Sequence, residues 1–306
     1  EFGQLRKESV ISLEGKVQLR PKRDINKKMP TGEIELSAET ITILNESAII
    51  PLDLEKIKST EEVRLKYRYL DLRRDNMQKN IKLRHKTAKA IRDFLDNENF
   101  LEIETPMMAK STPEGARDYL IPSRVQKGKF YALPQSPQLF KQLLMVAGFD
   151  KYFQMVRCFR DEDLRSDRQP EFTQIDMEMS FIEEEDIYSL LEKMMKHLFK
   201  EVLDVEIKTP FPRITHKEAM NKYHTDRPHL KKDTHKYSFL WVIDFPLFDY
   251  NKDEKRFVST HHPFTMPKDE DLKNIEKTPE KAKSKAYDLV LNGEEIAGGS
   301  IRIHKE

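Results

Sequence analysis

The 306-residue sequence predicts an α+β protein, in which an antiparallel sheet is flanked by helices and a small set of β-strands precedes it. Three observations carry that expectation. The first 50 residues hold short alternating strands joined by turn chemistry. Two charged helices follow. From Asn99 onward short strands recur, linked by hairpins and long excursions rather than by regular helical crossovers.

The elements can be justified in order. Val10 to Val17 alternates apolar and polar residues, and Pro30-Thr31-Gly32 is a turn before the strand Glu33 to Leu36; Thr40 to Leu44 forms another. The basic loop between them, Arg20-Pro21-Lys22-Arg23 with Lys27-Lys28, suits a solvated hairpin or a contact to single-stranded nucleic acid. Pro51 breaks the sheet. Ser59-Thr60-Glu61-Glu62 is an N-cap sequence for a helix from Val63 to Arg74. A second helix, Lys79 to Asn97, places Ile81, Ala88, Ile91 and Leu95 on one stripe. Strands are expected at Phe100 to Glu104, Phe130 to Leu133, Tyr152 to Glu162, Phe172 to Phe181, Phe239 to Phe248 and Ala286 to Gly293, with helices at Pro137 to Ala147 and Glu185 to Val202. No internal repeat or low-complexity tract interrupts them.

Composition narrows the function classes. Lys plus Arg total 54 against 53 Asp plus Glu, which argues against a generic polycation. The single cysteine, Cys158, excludes an internal disulfide framework and suits a reducing compartment. No run approaches the ~18 apolar residues of a membrane span, and Glu1 to Val10 lacks the basic-then-apolar layout of a signal peptide. Nine glycines disfavour a glycine-rich phosphate loop, so side chains should handle any nucleotide phosphates.

The most informative segment runs from Phe159 to Phe181, FRDEDLRSDRQPEFTQIDMEMSF. As a strand, Gln154, Val156, Cys158, Arg160 and Glu162 share one face. After a polar loop, Leu164 to Pro170, the return strand turns Ile175, Met177, Met179 and Phe181 toward a core. Phe172, Gln174, Asp176 and Glu178 point the other way. An antiparallel sheet with one wet face shows the same alternation. The content of this face favours a nucleotide site instead, because arginine binds phosphate bidentately and a phenyl ring can stack a base.

This hairpin resembles motif 2 of the class II aminoacyl-tRNA synthetases, and Phe100 to Met108, with Pro106, resembles their motif 1. Further segments resemble the bacterial-type aspartate enzymes of that class: Ser111 to Arg124, Gln135 to Met145, Arg168 to Asp176, Trp241 to Phe248, His261 to Thr265 and Gly298 to His304. The resemblance implies a class II catalytic domain over 76–306, a hinge over 51–75, and over 1–50 the C-terminal part of an OB-fold anticodon-binding domain. It implies an aspartate–tRNA ligase that activates L-aspartate with ATP and passes it to the 3′ end of tRNA(Asp), in the cytoplasm or an organelle. A homodimer through motif 1 follows from the same likeness.

Roles are carried over residue by residue. The resemblance implies that Arg160 is the catalytic residue, bridging the α-phosphate and the amino-acid carboxylate. It implies that Phe172 would stack adenine, that Glu162 and Gln169 would contact ATP, and that Glu295 would lie near the phosphates and help hold Mg²⁺. It assigns aspartate binding to Glu114, Gln138, Lys141, Arg160, Asp176, His261 and Arg302. Lys141 and Arg302 would pair with the β-carboxylate, and Glu114, Asp176 and His261 would lie near the ammonium. Ser136-Pro137 reads as an N-cap followed by Pro at N1, which sets Gln138 and Lys141 on one helix face. Neither chemical step needs a covalent nucleophile.

The sequence departs from the family pattern in places. Three parts of the family pattern are missing from this sequence: further barrel strands ahead of those in 1–50, a large inserted domain near 226–238, where Asp226 to Ser238 runs almost directly into Trp241, and a glycine-rich motif 3 with an arginine for the γ-phosphate, expected after His304. Glu294 and Ala297 stand where an aromatic residue and a glycine are expected. Two other readings follow: a non-catalytic tRNA-binding relative, and a tRNA-independent enzyme that adenylates an amino acid.

Overall fold

A computed structural model of the chain describes residues 5–54, 59–112, 114–163, 169–230 and 236–305. Leu164 to Arg168, most of the expected polar loop, and Lys231 to His235 lie outside the described residues. The chain divides into two compact units, Glu1–Arg84 and His85–Glu306.

In the first unit, β1 (Val10–Leu19) and β2 (Ile34–Asn45) form an antiparallel ribbon. Two of the expected strands, Glu33 to Leu36 and Thr40 to Leu44, are therefore one. The ladder absorbs its irregularity as a register shift between Glu14 and Gly15, where a side-chain carbon on Gly15 would lie 2.1 Å from the Ser37 carbonyl oxygen. The helix expected from Val63 to Arg74 is broken at Tyr67 into α1 (Glu61–Lys66) and α2 (Arg68–Asp71). Thr60 caps α1 by accepting from the Val63 N–H. Asp71 is fully buried and is held by Arg68 at 2.5 Å and Arg74 at 3.2 Å.

In the second unit, helix α3 (Asp75–Asn97) contributes Ile91, Phe94 and Leu95 to the core. Then come β3 (Leu101–Glu102), β4 (Leu120–Pro122), β5 (Phe130–Ala132), α4 (Gln138–Val146), β6 (Lys151–Phe159), β7 (Glu171–Met179), α5 (Glu184–Leu203), β8 (Arg213–Thr215) and α6 (His216–Tyr223). β9 (Phe239–Ile243), β10 (Phe248–Asn251), β11 (Arg256–Ser259), β12 (Ala286–Leu291) and β13 (Glu294–Ser300) complete the order. One sheet has the order β3-β6-β7 and another β13-β12-β9-β8. The pairs β3–β6 and β8–β9 are parallel, so the sheets are mixed rather than wholly antiparallel.

Alternation on β9 explains its position. Phe239 and Trp241 join the cluster built on α5, with Ile187, Tyr188, Leu191 and Met194. Leu240 and Val242 join a second cluster with Ala219 of α6 and Val290. A strand covered on both faces reads as a continuous apolar run, as Phe239-Leu240-Trp241-Val242-Ile243 does. Helix α5 opens on a capping box between Glu183 and Asp186 and closes at Asp204 in the left-handed conformation. Among the described residues no helix is long and apolar enough to cross a membrane.

Glu192 of α5 is buried and accepts from the Phe211 N–H at 3.0 Å and the Trp241 indole N–H at 3.1 Å. Glu192→Met orphans two buried donors and is expected to lower the unfolding free energy by about 2–5 kcal/mol. Urea denaturation checks this, and a loss below ~1 kcal/mol contradicts it.

Candidate active site

The floor of the site is the β6–β7 hairpin. Gln154 pairs across from Asp176, Val156 from Gln174 and Cys158 from Phe172, so the polar residues share the face that alternation predicts. Gln154 is buried, and its Oε1 accepts from the Thr105 hydroxyl at 2.9 Å and the Tyr152 hydroxyl at 3.0 Å. On the opposite face Met177 and Met179 pack on the core, while Ile175 is exposed. Phe181 does not pack. The strand ends at Met179, and Phe181 sits in the left-handed region at φ 57°, 101% exposed. Burial pushes the Cys158 thiol up to about 12, with the Asp176 charge adding to it. It stays protonated near neutrality, which removes it as a nucleophile.

Helix α4 brings Gln138 and Lys141 onto this floor, both buried. The Lys141 ammonium lies 2.7 Å from Asp176 Oδ1 and 3.2 Å from Glu178 Oε2. Arg302 faces the same carboxylate from the far side, its Nε 3.9 Å from Glu178 Oε1. Its terminal nitrogens donate to Gln138 Oε1 at 3.2 Å, Ser300 Oγ at 2.6 Å and His262 Nε2 at 2.9 Å. Burial raises the Asp176 carboxyl above its ordinary range, and the Lys141 charge opposes that rise. Two cations and two carboxylates thus share one partly buried pocket, with Lys141 and Asp176 buried and Glu178 and Arg302 half-buried. Within it Gln138 Nε2, Asp176 Oδ2 and Arg302 Nε are buried without a hydrogen-bond partner. Orphaned buried polar atoms are rare, and three around one ion cluster mark a place for a polar ligand.

Ser136 does not cap α4, which starts at Gln138 after Pro137 without a side-chain cap. Its hydroxyl instead donates to Glu114 Oε2 at 2.6 Å, and Thr112 donates to Glu114 Oε1 at 2.9 Å. His261 stands apart from the cation pair. Its ring meets Phe245 edge-on at 5.0 Å, and burial lowers its pKa, with His216 adding to the effect. The adjacent His262 makes the contact with Arg302. Arg302 can only donate, so Nε2 of His262 accepts and its Nδ1–H donates to Thr265 Oγ1, 2.8 Å away. A single-residue choice within a His-His pair could not be made from spacing.

At the other end of the hairpin the Arg160 guanidinium lies 5.0 Å over the Phe172 ring. Glu162 and Gln169 lie beyond the strands and are exposed. Glu295 has a neighbour that the sequence reading missed. Asp288, opposite Gly298 on the β12–β13 ladder, lies so close that a side-chain carbon on Gly298 would sit 2.6 Å from Asp288 Oδ1 and 3.3 Å from Glu295 Oε1. Burial and the Glu295 charge push the Asp288 carboxyl up to about 8. Two converging carboxylates suit a hard divalent cation, whose charge would favour the ionised form of Asp288. The hairpin register, with Asp288 and Glu295 both flanking Gly298, is the signal that could have found it.

The hairpin floor thus carries an arginine over a phenyl ring at one end and a lysine and an arginine around one carboxylate at the other. Residues 60–306 match the family model for class II tRNA synthetases (D, K and N). Asparaginyl-tRNA synthetases from Pyrococcus horikoshii, complexed with asparaginyl-adenylate, and from Entamoeba histolytica share the fold at TM-scores of 0.75 and 0.74, with 20% and 18% identity. Each match covers 98% or 99% of this chain and 70% of the other. An aspartate–tRNA(Asp/Asn) ligase from Caldanaerobacter subterraneus subsp. tengcongensis is 42% identical over 427 residues, 98% of this chain and 72% of that protein. An aspartate–tRNA ligase from Clostridium perfringens is 41% identical over 428, 98% and 71% respectively. The chain belongs to the class II tRNA synthetases of the D, K and N group. The matched spans exceed 306 residues, so these relatives carry internal segments without a counterpart here.

Burial lowers the His262 pKa to about 3, and the neighbouring Arg302 charge adds to it. The folded state therefore resists protonation that the unfolded chain accepts near 6.5. Stability contributed by neutral His262 is present above that pH and is lost as pH falls toward 3. In ¹⁵N NMR spectra of the free protein, the His262 ring nitrogens should keep neutral-imidazole shifts down to about pH 4. A midpoint near 6 contradicts the geometry.

Proposed function

We propose that the chain acts as an aspartate–tRNA ligase, converting L-aspartate and ATP to aspartyl-adenylate and pyrophosphate and then transferring aspartate to the 3′ end of tRNA. One observation carries the choice of aspartate: buried Lys141 and half-buried Arg302 sharing Glu178, beside the three unpartnered polar atoms. A substrate β-carboxylate would satisfy both cations. Asparagine would leave them facing a neutral amide, and a site built for a charged or hydrogen-bonding group rejects an analogue that lacks it strongly. The names of the relatives at 41% and 42% identity support the same substrate.

In this reading the aspartate α-carboxylate attacks the α-phosphorus of ATP, and the bond to the pyrophosphate oxygen breaks. Arg160 neutralises charge at the α-phosphate and orients the attacking carboxylate; its position over Phe172 supports that role. Phe172 offers its ring to adenine, with Glu162 and Gln169 nearby in sequence. Asp176 and Glu114 receive the substrate ammonium, and Gln138 completes the amino-acid pocket. Mg²⁺, when bound, neutralises phosphate charge, and Asp288 with Glu295 would hold it. The tRNA terminal ribose hydroxyl then attacks the activated carbonyl, and AMP leaves.

The ribbon Val10–Asn45 and its basic loop suit the anticodon-binding barrel of this family, with tRNA backbone contact that weakens steeply with salt. A homodimer through the Phe100 to Met108 region and a cytoplasmic setting belong to the same reading. Aspartate-dependent ATP–pyrophosphate exchange tests it. Exchange is expected with aspartate, near background with asparagine, and reduced at least ~100-fold in kcat/KM for aspartate by Lys141→Met. Absence of exchange with aspartate in the unaltered protein overturns the proposal.

A further inference from the structure

The loop carrying Glu114 needs an anchor beside α4 if Glu114 is to share a substrate with Lys141. Gln135 supplies it. Its side chain is buried, 3% exposed, and grips the loop at three points. The Ala116 N–H donates to Gln135 Oε1 at 2.9 Å, and Gln135 Nε2 donates to the Ala116 carbonyl at 2.8 Å and to the Asp118 carboxylate. The amide thus pairs with a backbone unit as a neighbouring strand would. Asp118 in turn accepts from the Ser111 hydroxyl, which closes the loop base. Directly after Gln135, Ser136 holds Glu114 itself. On its far side the loop pairs with the hairpin: the Asp161 N–H donates to the Arg117 carbonyl at 3.0 Å, next to Arg160.

We infer that Gln135 is a positioning residue for amino-acid activation: its amide latches the Glu114 loop to the start of α4, so that Glu114 and Lys141 address one substrate. The kinetic part rests on the aspartate-activating reading; the latch itself does not. Only a group with both a donor and an acceptor at this reach completes it. Methionine fills the same volume without hydrogen bonds. Glutamate keeps the acceptor for Ala116 but faces Asp118 with a like charge.

Two readouts test it on the full chain. Hydrogen exchange of the Ala116 amide should accelerate by about tenfold or more in Gln135→Met, whatever the substrate. In ATP–pyrophosphate exchange, Gln135→Met and Gln135→Glu should raise the KM for aspartate about tenfold or more while the KM for ATP changes less than about twofold. Asp118→Asn added to Gln135→Glu should recover part of the loss, since the asparagine amide can donate to the new carboxylate and still accept from Ser111. Unchanged Ala116 exchange, or faster exchange with an unaltered KM for aspartate, overturns the inference. Equal rises in both KM values, or no recovery in the double variant, also overturn it. If the unaltered protein shows no aspartate-dependent exchange, the functional reading fails, and the Ala116 amide alone decides the latch.

Discussion

Burying an ammonium group is costly unless opposite charge and hydrogen bonds surround it. Lys141 meets that constraint with Asp176 and Glu178, two residues apart on one face of β7. Most other features of the site follow from it. A pair of carboxylates around one lysine leaves a surplus of negative charge, and Arg302 offsets it from the other side of Glu178. Neutral His262, Ser300 and Gln138 accept from its terminal nitrogens and fix its orientation, while Nε is left without a hydrogen-bond partner. The result is a charge-balanced pocket that is incompletely hydrogen-bonded. A ligand bringing a carboxylate and an ammonium fits that condition.

The scaffold keeps this arrangement rigid. Met177 and Met179, the alternate residues of β7, lie against the core that α5 shares with β9 and β12, so the floor cannot rotate without opening packed apolar surface. Arg302 follows β13, whose ladder with β12 also sets Asp288 beside Glu295. The same two hairpins therefore position the amino-acid pocket and the carboxylate pair. The opposite effects of burial on Asp176 and His262, one raised and one lowered, have a single physical origin: each disfavours its charged form where water is excluded.

Much of this was legible from residue order. Period-two alternation in the hairpin set the polar face and, through it, the partners of Lys141. The i, i+3 spacing of Gln138 and Lys141 on a helix proved to be a shared buried face. What escaped were features decided by tertiary contact. Phe181 continues the apolar alternation but lies past the strand end. Ser136 has the chemistry of a cap, yet Glu114 competes for its hydroxyl and wins. His261 and His262 are identical in composition and differ only in what each ring meets. Asp288 drew no notice because its partner is seven residues away, across a turn. The single helix expected from Val63 to Arg74 breaks at Tyr67, where the chain turns so that Asp71 can sit between two arginines.

The central claim is that Lys141 and Arg302 select a substrate carboxylate over its amide. Thermal stabilisation by non-hydrolysable adenylate analogues tests it without any catalytic step. The aspartyl analogue should raise Tm clearly at a concentration where the asparaginyl analogue shifts it little. Equal stabilisation by the two analogues would contradict the account.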